Sequence, residues 1–167
     1  MNAADNMDIK TFPNFNTRWH FDDKVAQKYL FESICASLVK STVFYENLDS
    51  NSENNKWEKH IISRNVGAGH LDTADMDGDG DIDIVVPFGA LSYRSKNPTR
   101  VKKQIVWFEN RINHDGGWKE NIITNIENGW FDVEIDDFDN DGDLDVAAIS
   151  FRNPGALYVF EKINQKE

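Results

Sequence analysis

Apolar positions in this chain fall in short runs separated by polar, glycine-containing stretches, a pattern that predicts strands rather than long helices. From Val43 onward the runs are Val43 to Asn47 (V-F-Y-E-N), Trp57 to Ile62 (W-E-K-H-I-I) and Ile84 to Val86. They continue as Val106 to Asn110 (V-W-F-E-N), Trp118 to Ile123 (W-K-E-N-I-I), Val146 to Ile149 and Leu157 to Glu161 (L-Y-V-F-E). Ile105 and Trp107 alternate with Val106 and Phe108, so this strand is apolar on both faces and is expected to lie between two packed layers.

Ahead of Val43 the pattern changes. Phe12, Phe15, Trp19 and Phe21 make an aromatic-rich segment. Then Val25, Tyr29, Leu30, Ile34 and Leu38 recur at helical spacing behind aspartates able to cap, which predicts an amphipathic helix from Asp23 to about Leu38. The competing reading is a worn repeat. Ile34 to Ser37 precedes Val43 to Asn47 much as Val146 to Ser150 precedes Leu157 to Glu161.

Between the strands lie two nine-residue acidic loops, Asp75 to Asp83 (D-M-D-G-D-G-D-I-D) and Asp137 to Asp145 (D-F-D-N-D-G-D-L-D). Each carries a carboxylate at every odd position, Gly or Asn at position four, Gly at position six and an aliphatic residue at position eight. Like charges at this density repel unless a cation sits among them. Hard oxygen donors suit calcium, which takes six to eight oxygens in flexible geometry. Gly80 and Gly142 supply the positive φ that lets a short loop wrap an ion. Ile82 and Leu144 are expected to anchor the loops in apolar surroundings. An EF-hand begins similarly but needs a bidentate Glu at position twelve, where this chain has Val86 and Ala148. The acidic ligands therefore end at position nine. Side chains at positions one, three, five and nine would coordinate, with the backbone carbonyl of Asp81 or Asp143 at position seven.

The loops belong to a longer repeat. Asp75 and Asp137 are 62 residues apart, Trp57 and Trp118 are 61 apart, and Val43 and Val106 are 63 apart. The unit order is strand, acidic loop, strand, V-W-F-E-N strand, W-K-x-x-I-I strand. Four short strands at a fixed period predict an all-β fold built of β-propeller blades. The chain divides into an N-terminal segment, 1–42, and blades over 43–167, holding about two to three four-stranded blades. A closed propeller needs at least about four blades. Three arrangements are open: a piece of a longer propeller, which the third V-F-E strand favours; a ring completed by self-association; or an array capped by residues 1–42.

The two loops resemble the calcium loops of FG-GAP/VCBS repeats, found in integrin α-subunit propellers and many bacterial proteins. The W-F-E-N and G-G-W-K-x-x-I-I stretches are similar to the remainder of VCBS-type blades, and the resemblance covers about residues 43–162. It implies that the acidic loop joins the first two strands of a blade. It implies two calcium ions, one held by Asp75, Asp77, Asp79, Asp81 and Asp83 and one by Asp137, Asp139, Asp141, Asp143 and Asp145. It also implies an extracellular or cell-surface setting and no catalytic residue.

Composition narrows the partners. Of a net charge of −11, the two loops contribute ten aspartates, so the acidity is local to the proposed sites. No basic stripe favours nucleic acid, and no run of about 18 apolar residues predicts a membrane span. Met1 to Lys10 is polar and does not read as a signal peptide. Cys35 is the sole cysteine, so a disulfide within the chain is excluded. His20, His60, His70 and His114 stand at unrelated spacings and read as structural rather than ligating. Trp57, Trp107 and Trp118 read as blade core, whereas Tyr93, Arg94 and Trp130 lie in or near loops as weak candidates for ligand contact. The expected function is a calcium-stabilised module that binds a protein or glycan, not an enzyme. The alternatives are a fragment of a carbohydrate-active enzyme with VCBS blades (a polysaccharide lyase or sugar dehydratase) and a purely structural repeat in an adhesin.

Overall fold

The computed structural model of the chain describes residues 29–33, 41–48, 57–65, 67–89, 102–114, 116–126, 129–150 and 155–162. Strands β1 (Tyr29–Ser33), β2 (Thr42–Asn47) and β3 (Trp57–Ser63) come first. They are followed by β4 (Asp72–Ala74), β5 (Asp83–Pro87), β6 (Ile105–Asn110) and β7 (Trp118–Thr124). The last are β8 (Trp130–Asp136), β9 (Asp145–Ser150) and β10 (Leu157–Phe160). Among the described residues they form three sheets ordered β1-β2-β3, β4-β5-β6-β7 and β10-β9-β8, every pairing antiparallel and consecutive in sequence. The described residues are all-β, and their sheets follow the strand order of successive blades in a propeller-like array.

The repeat read from sequence reappears as register. Val43 pairs with Ile61 and Thr42 with Ser63, with a shift between Thr42 and Val43. Val106 pairs with Ile122 and Ile105 with Thr124, and the shift falls at the same place. Strands β3 and β7 also share one alternation of buried and exposed positions. Around the acidic loops, Ala74 faces Asp83 and Asp136 faces Asp145. The same bulge at the same step shows that the two units solve one packing problem in one way.

Strands β5 and β6 are buried on both sides, as their unbroken apolar sequence requires. One side gathers Ile84, Val86, Val106 and Phe108 with Ala68 and Phe88, flanked by Ile62, Leu71 and Trp118. Phe44 of β2 meets Trp118 edge-on at 5.7 Å and so links the first sheet to the second. The other side gathers Val85 and Ile105 with Met76, Trp130, Val133, Val146 and Ala148, and Trp107, Tyr158 and Phe160 pack against them. Fully burying each large aliphatic or aromatic side chain stabilises by about 1.5–3 kcal/mol. Interlayer packing is therefore what fixes the acidic hairpins in space.

The structure corrects two sequence readings. Tyr29–Ser33 is a strand paired with β2 from Tyr29 opposite Glu46 to Ser33 opposite Thr42, not part of a helix. The remainder of Asp23 to Leu38 lies outside the described residues, as does the rest of 1–42 apart from Ser41 and Thr42. A ladder along β2 outweighs helical periodicity in a segment whose Tyr and Phe also favour strands. Trp130 is fully buried rather than available to a ligand, stacked edge-on against Tyr158 at 5.1 Å and Phe160 at 5.8 Å. Tyr93 and Arg94 lie outside the described residues.

A close backbone crossing joins the second and third sheets. Gly69 N–H donates to Pro87 C=O at 2.7 Å, and His70 N–H donates to Phe131 C=O at 2.8 Å. A Cβ on Gly69 would lie 2.1 Å from the Phe131 oxygen, so only glycine fits at this crossing.

Candidate metal centre

Both acidic loops are the turns of equivalent hairpins, β4 to β5 and β8 to β9. Each winds its backbone around the first aspartate. Asp75 Oδ1 accepts the N–H groups of Gly78 at 2.8 Å and Asp79 at 3.0 Å, and its Oδ2 accepts that of Gly80 at 2.9 Å. Asp137 repeats this with Asp141 N–H at 3.0 Å and Gly142 N–H at 3.1 Å. Smaller turns follow, from Asp81 N–H to Asp79 at 2.8 Å and from Asp143 N–H to Asp141 at 3.1 Å.

Such tight winding needs left-handed backbone at two positions. Gly80 and Gly142 have φ of 93° and 95°, as expected, while Gly78 and Asn140 at position four have φ of 80° and 62°. Asn is the non-glycine residue that tolerates this region best. Position four therefore accepts Gly in one loop and Asn in the other for a conformational reason.

Position nine fastens the loop to its blade. Asp83 is 1% exposed and accepts N–H from Asn110 at 2.8 Å and from Met76 at 3.1 Å. Asp145, also 1% exposed, accepts N–H from Lys162 at 3.0 Å and from Phe138 at 3.2 Å. Leu144 at position eight packs against the interlayer core, and Ile82 is half-buried.

The remaining carboxylates converge. Asp75, Asp77 and Asp79 bring one oxygen each within 4.8 Å of one another, and so do Asp137, Asp139 and Asp145. A third grouping of the same tightness joins Asp79 and Asp81 to His114. These clusters can hold a metal ion. Asp83 stands outside the convergent group of its loop, so the two hairpins are not identical. Asp141 and Asp143 stand outside that of theirs.

Sequence reasoning missed Asn113 and His114. The turn between β6 and β7, closed by Arg111 N–H to Gly117 C=O at 3.0 Å, carries both over the first loop. Asn113 Nδ2 donates to Asp81 Oδ1 at 2.8 Å, and His114 Nε2 lies 3.1 Å from Asp79 and 3.7 Å from Asp81. No local pattern marks them, because the contact spans some thirty residues. His60 stacks on Phe44 at 4.6 Å, and His70 lies 3.5 Å from Asp132.

Carboxylate crowding shows in the acidities. Burial pushes Asp83 up to about 6 against the opposing pull of the Asn110 and Met76 N–H groups, with the Asp77 charge adding to the rise. Desolvation, then the charges of Asp141, Asp145 and Asp137, raises Asp139. Desolvation and the Asp141 carboxylate raise Asp143, with the Lys162 charge pulling the other way. A bound cation relieves each of these.

Family models, curated proteins and solved structures were each searched with this chain, and none matches. Among the described residues no helix is long and apolar enough to cross a membrane.

Proposed function

We propose that the chain is a calcium-binding β-propeller repeat module of FG-GAP/VCBS type that binds a protein or glycan outside the cell, its metal serving structure rather than catalysis. One observation carries this reading. Two hairpins in separate sheets wind the same backbone around the same first aspartate and gather carboxylates at their tips. A merely solvated acidic turn has no need of that repetition.

The donors fit calcium. Oxygen ligands predominate at both tips, most of the aspartates are exposed or half-exposed, and the loops are short enough to adjust. Asp75, Asp77 and Asp79 would hold one ion and Asp137, Asp139 and Asp145 the other, with Asp81, Asp83, Asp141 and Asp143 completing the shells. Calcium would supply positive charge to loops that otherwise repel themselves, drawing each hairpin tip into one conformation.

Calorimetric titration of the full chain tests this. Two calcium ions per chain are expected, with Kd on the order of 10⁻⁴–10⁻³ M as for other extracellular modules. No uptake at roughly tenfold higher calcium than that range would overturn the reading. The binding role is tested separately by screening the calcium-loaded chain against glycans and extracellular proteins.

A further inference from the structure

We propose that the Asp77–Gly78, Asp79–Gly80 and Asp141–Gly142 bonds are sites of spontaneous conversion of aspartate to isoaspartate, and that the first aspartate of each loop guards them. An Asp-Gly step is open to this chemistry because glycine has no side chain to hinder its attacking nitrogen. All six residues are exposed.

The step is an internal acyl transfer. The glycine nitrogen attacks the side-chain carboxyl carbon of the aspartate before it, and an N–C bond forms. The amide proton and one carboxyl oxygen, with a second proton from solvent, leave as water, and a cyclic imide closes. Water then opens the imide at the backbone carbonyl. The chain now runs through the former side-chain carbon, with its mass unchanged.

The fold holds both reacting groups. Gly78 N–H and Gly80 N–H donate to Asp75 at 2.8 and 2.9 Å, and Gly142 N–H donates to Asp137 at 3.1 Å. A nitrogen whose proton is committed to a carboxylate must break that bond before it attacks. The electrophiles are held as well. Asp77, Asp79 and Asp141 accept the N–H groups of Asp79, Asp81 and Asp143 at 3.3, 2.8 and 3.1 Å. Asp75 and Asp137 are half-buried and are followed by Met76 and Phe138, not by glycine, so the guards resist the reaction they block.

Conversion adds a methylene to the backbone and shortens the arm that carries the carboxylate, so the loop loses its shape at that position. The modification therefore marks chains whose loops have opened. It needs no metal; only the effect of calcium below rests on the proposed function.

The test incubates the full chain in EDTA at neutral pH and counts isoaspartate at each bond. Isoaspartyl methyltransferase supplies the label and fragment mass spectrometry the position. Conversion should be about tenfold slower in the folded chain than in the same chain unfolded in urea, as expected from one hydrogen bond to a carboxylate. Asp75→Ala should speed Asp77 and Asp79 about tenfold and leave Asp141 unchanged, and Asp137→Ala should do the reverse. Asp75→Asn keeps one acceptor oxygen and should give a smaller rise confined to the first loop, a pattern readable even where the alanine variant unfolds. Equal rates in the folded and urea-unfolded chain overturn the proposal. So does a rise in Asp75→Asn that is absent or spreads to Asp141. Calcium should slow all three bonds further; an unchanged rate in calcium beside the expected EDTA pattern upholds this inference and counts against the proposed function.

Discussion

Asp83 Oδ1 accepts the backbone N–H of Asn110 at 2.8 Å across 27 residues of chain, tying the first acidic loop to the end of β6. Asp145 makes the matching bond to Lys162, just beyond β10. The ninth position of each loop thus holds the hairpin to the third strand of its sheet. Position three, Asp77 or Asp139, carries no such duty. Among the described residues Asp77 accepts the N–H of Asp79 at 3.3 Å and Asp139 that of Asp141 at 3.0 Å, both within the loop and at exposed sites. Ligand residues of one motif therefore divide into those that build the loop and those that await the ion.

That division is measurable. Asp83→Ala strands two buried backbone donors, that of Met76 and that of Asn110 at the end of β6, and should cost about 2–4 kcal/mol even in EDTA. Asp145→Ala strands the less buried donors of Phe138 and Lys162 and should cost less, about 1–2 kcal/mol. Asp77→Ala should cost within about 0.5 kcal/mol in EDTA. In calcium at 100 times Kd it should forfeit about 2.7 kcal/mol, the linkage contribution of one site. Urea denaturation with and without calcium reads all three. Equal losses for Asp83→Ala and Asp77→Ala in EDTA would show that position nine has no structural role.

Glycines separate by mechanism. Gly142→Ala meets no atom within 4 Å, so only its φ of 95° is penalised, at about 1–2 kcal/mol. Gly69→Ala places a methyl 2.1 Å from the Phe131 oxygen and must part the second and third sheets, costing about 3 kcal/mol or more. Thermal melts of the two variants should rank them in that order, and the reverse ranking would refute the close crossing.

Acidity gives a signed pH dependence. The folded-state pKa of Asp83, about 6, lies above its ordinary 3.8. Protonation therefore favours the metal-free fold: this contribution is fully present below pH 3.8 and is lost as pH rises through about 6. Calcium acts in the opposite sense, because it needs the carboxylates charged. Uptake near pH 6 should release a proton, seen as a calorimetric heat that varies with the buffer's ionisation enthalpy, and affinity should fall below that pH. A heat independent of buffer would mean that Asp83 is already ionised in the metal-free chain.

Much of this was legible in sequence because it is local or periodic. The Asp and Gly pattern fixes both hairpin tips, and alternation along Ile105 to Phe108 announces a strand buried on two faces. What escaped was set by distant partners. Tyr29–Ser33 becomes a strand only because β2 offers it a ladder. Trp130 is drawn from an apparent loop into the core by Val133, Val146 and Tyr158. His114 reaches Asp79 only because the turn after β6 folds back over the first loop. Periodicity carries no information about such long-range choices.

The two sites should act nearly independently, with Lys162 as their one described direct link. Its N–H donates to Asp145 at 3.0 Å while its Nζ donates to the carbonyl of Met76, inside the first loop, at 2.9 Å. Lys162 is exposed, so solvent competes for that second bond and the coupling it transmits is small. Asp139→Ala should therefore abolish one calcium ion and change the affinity of the other by less than about threefold. Lys162→Met, which keeps the backbone bond and removes the amine, should erase even that shift. Calorimetry on the two variants and their combination forms a double-mutant cycle. Loss of both ions in Asp139→Ala would mean that the hairpins bind as one cooperative unit, with the packing between β5 and β8 rather than Lys162 as the carrier.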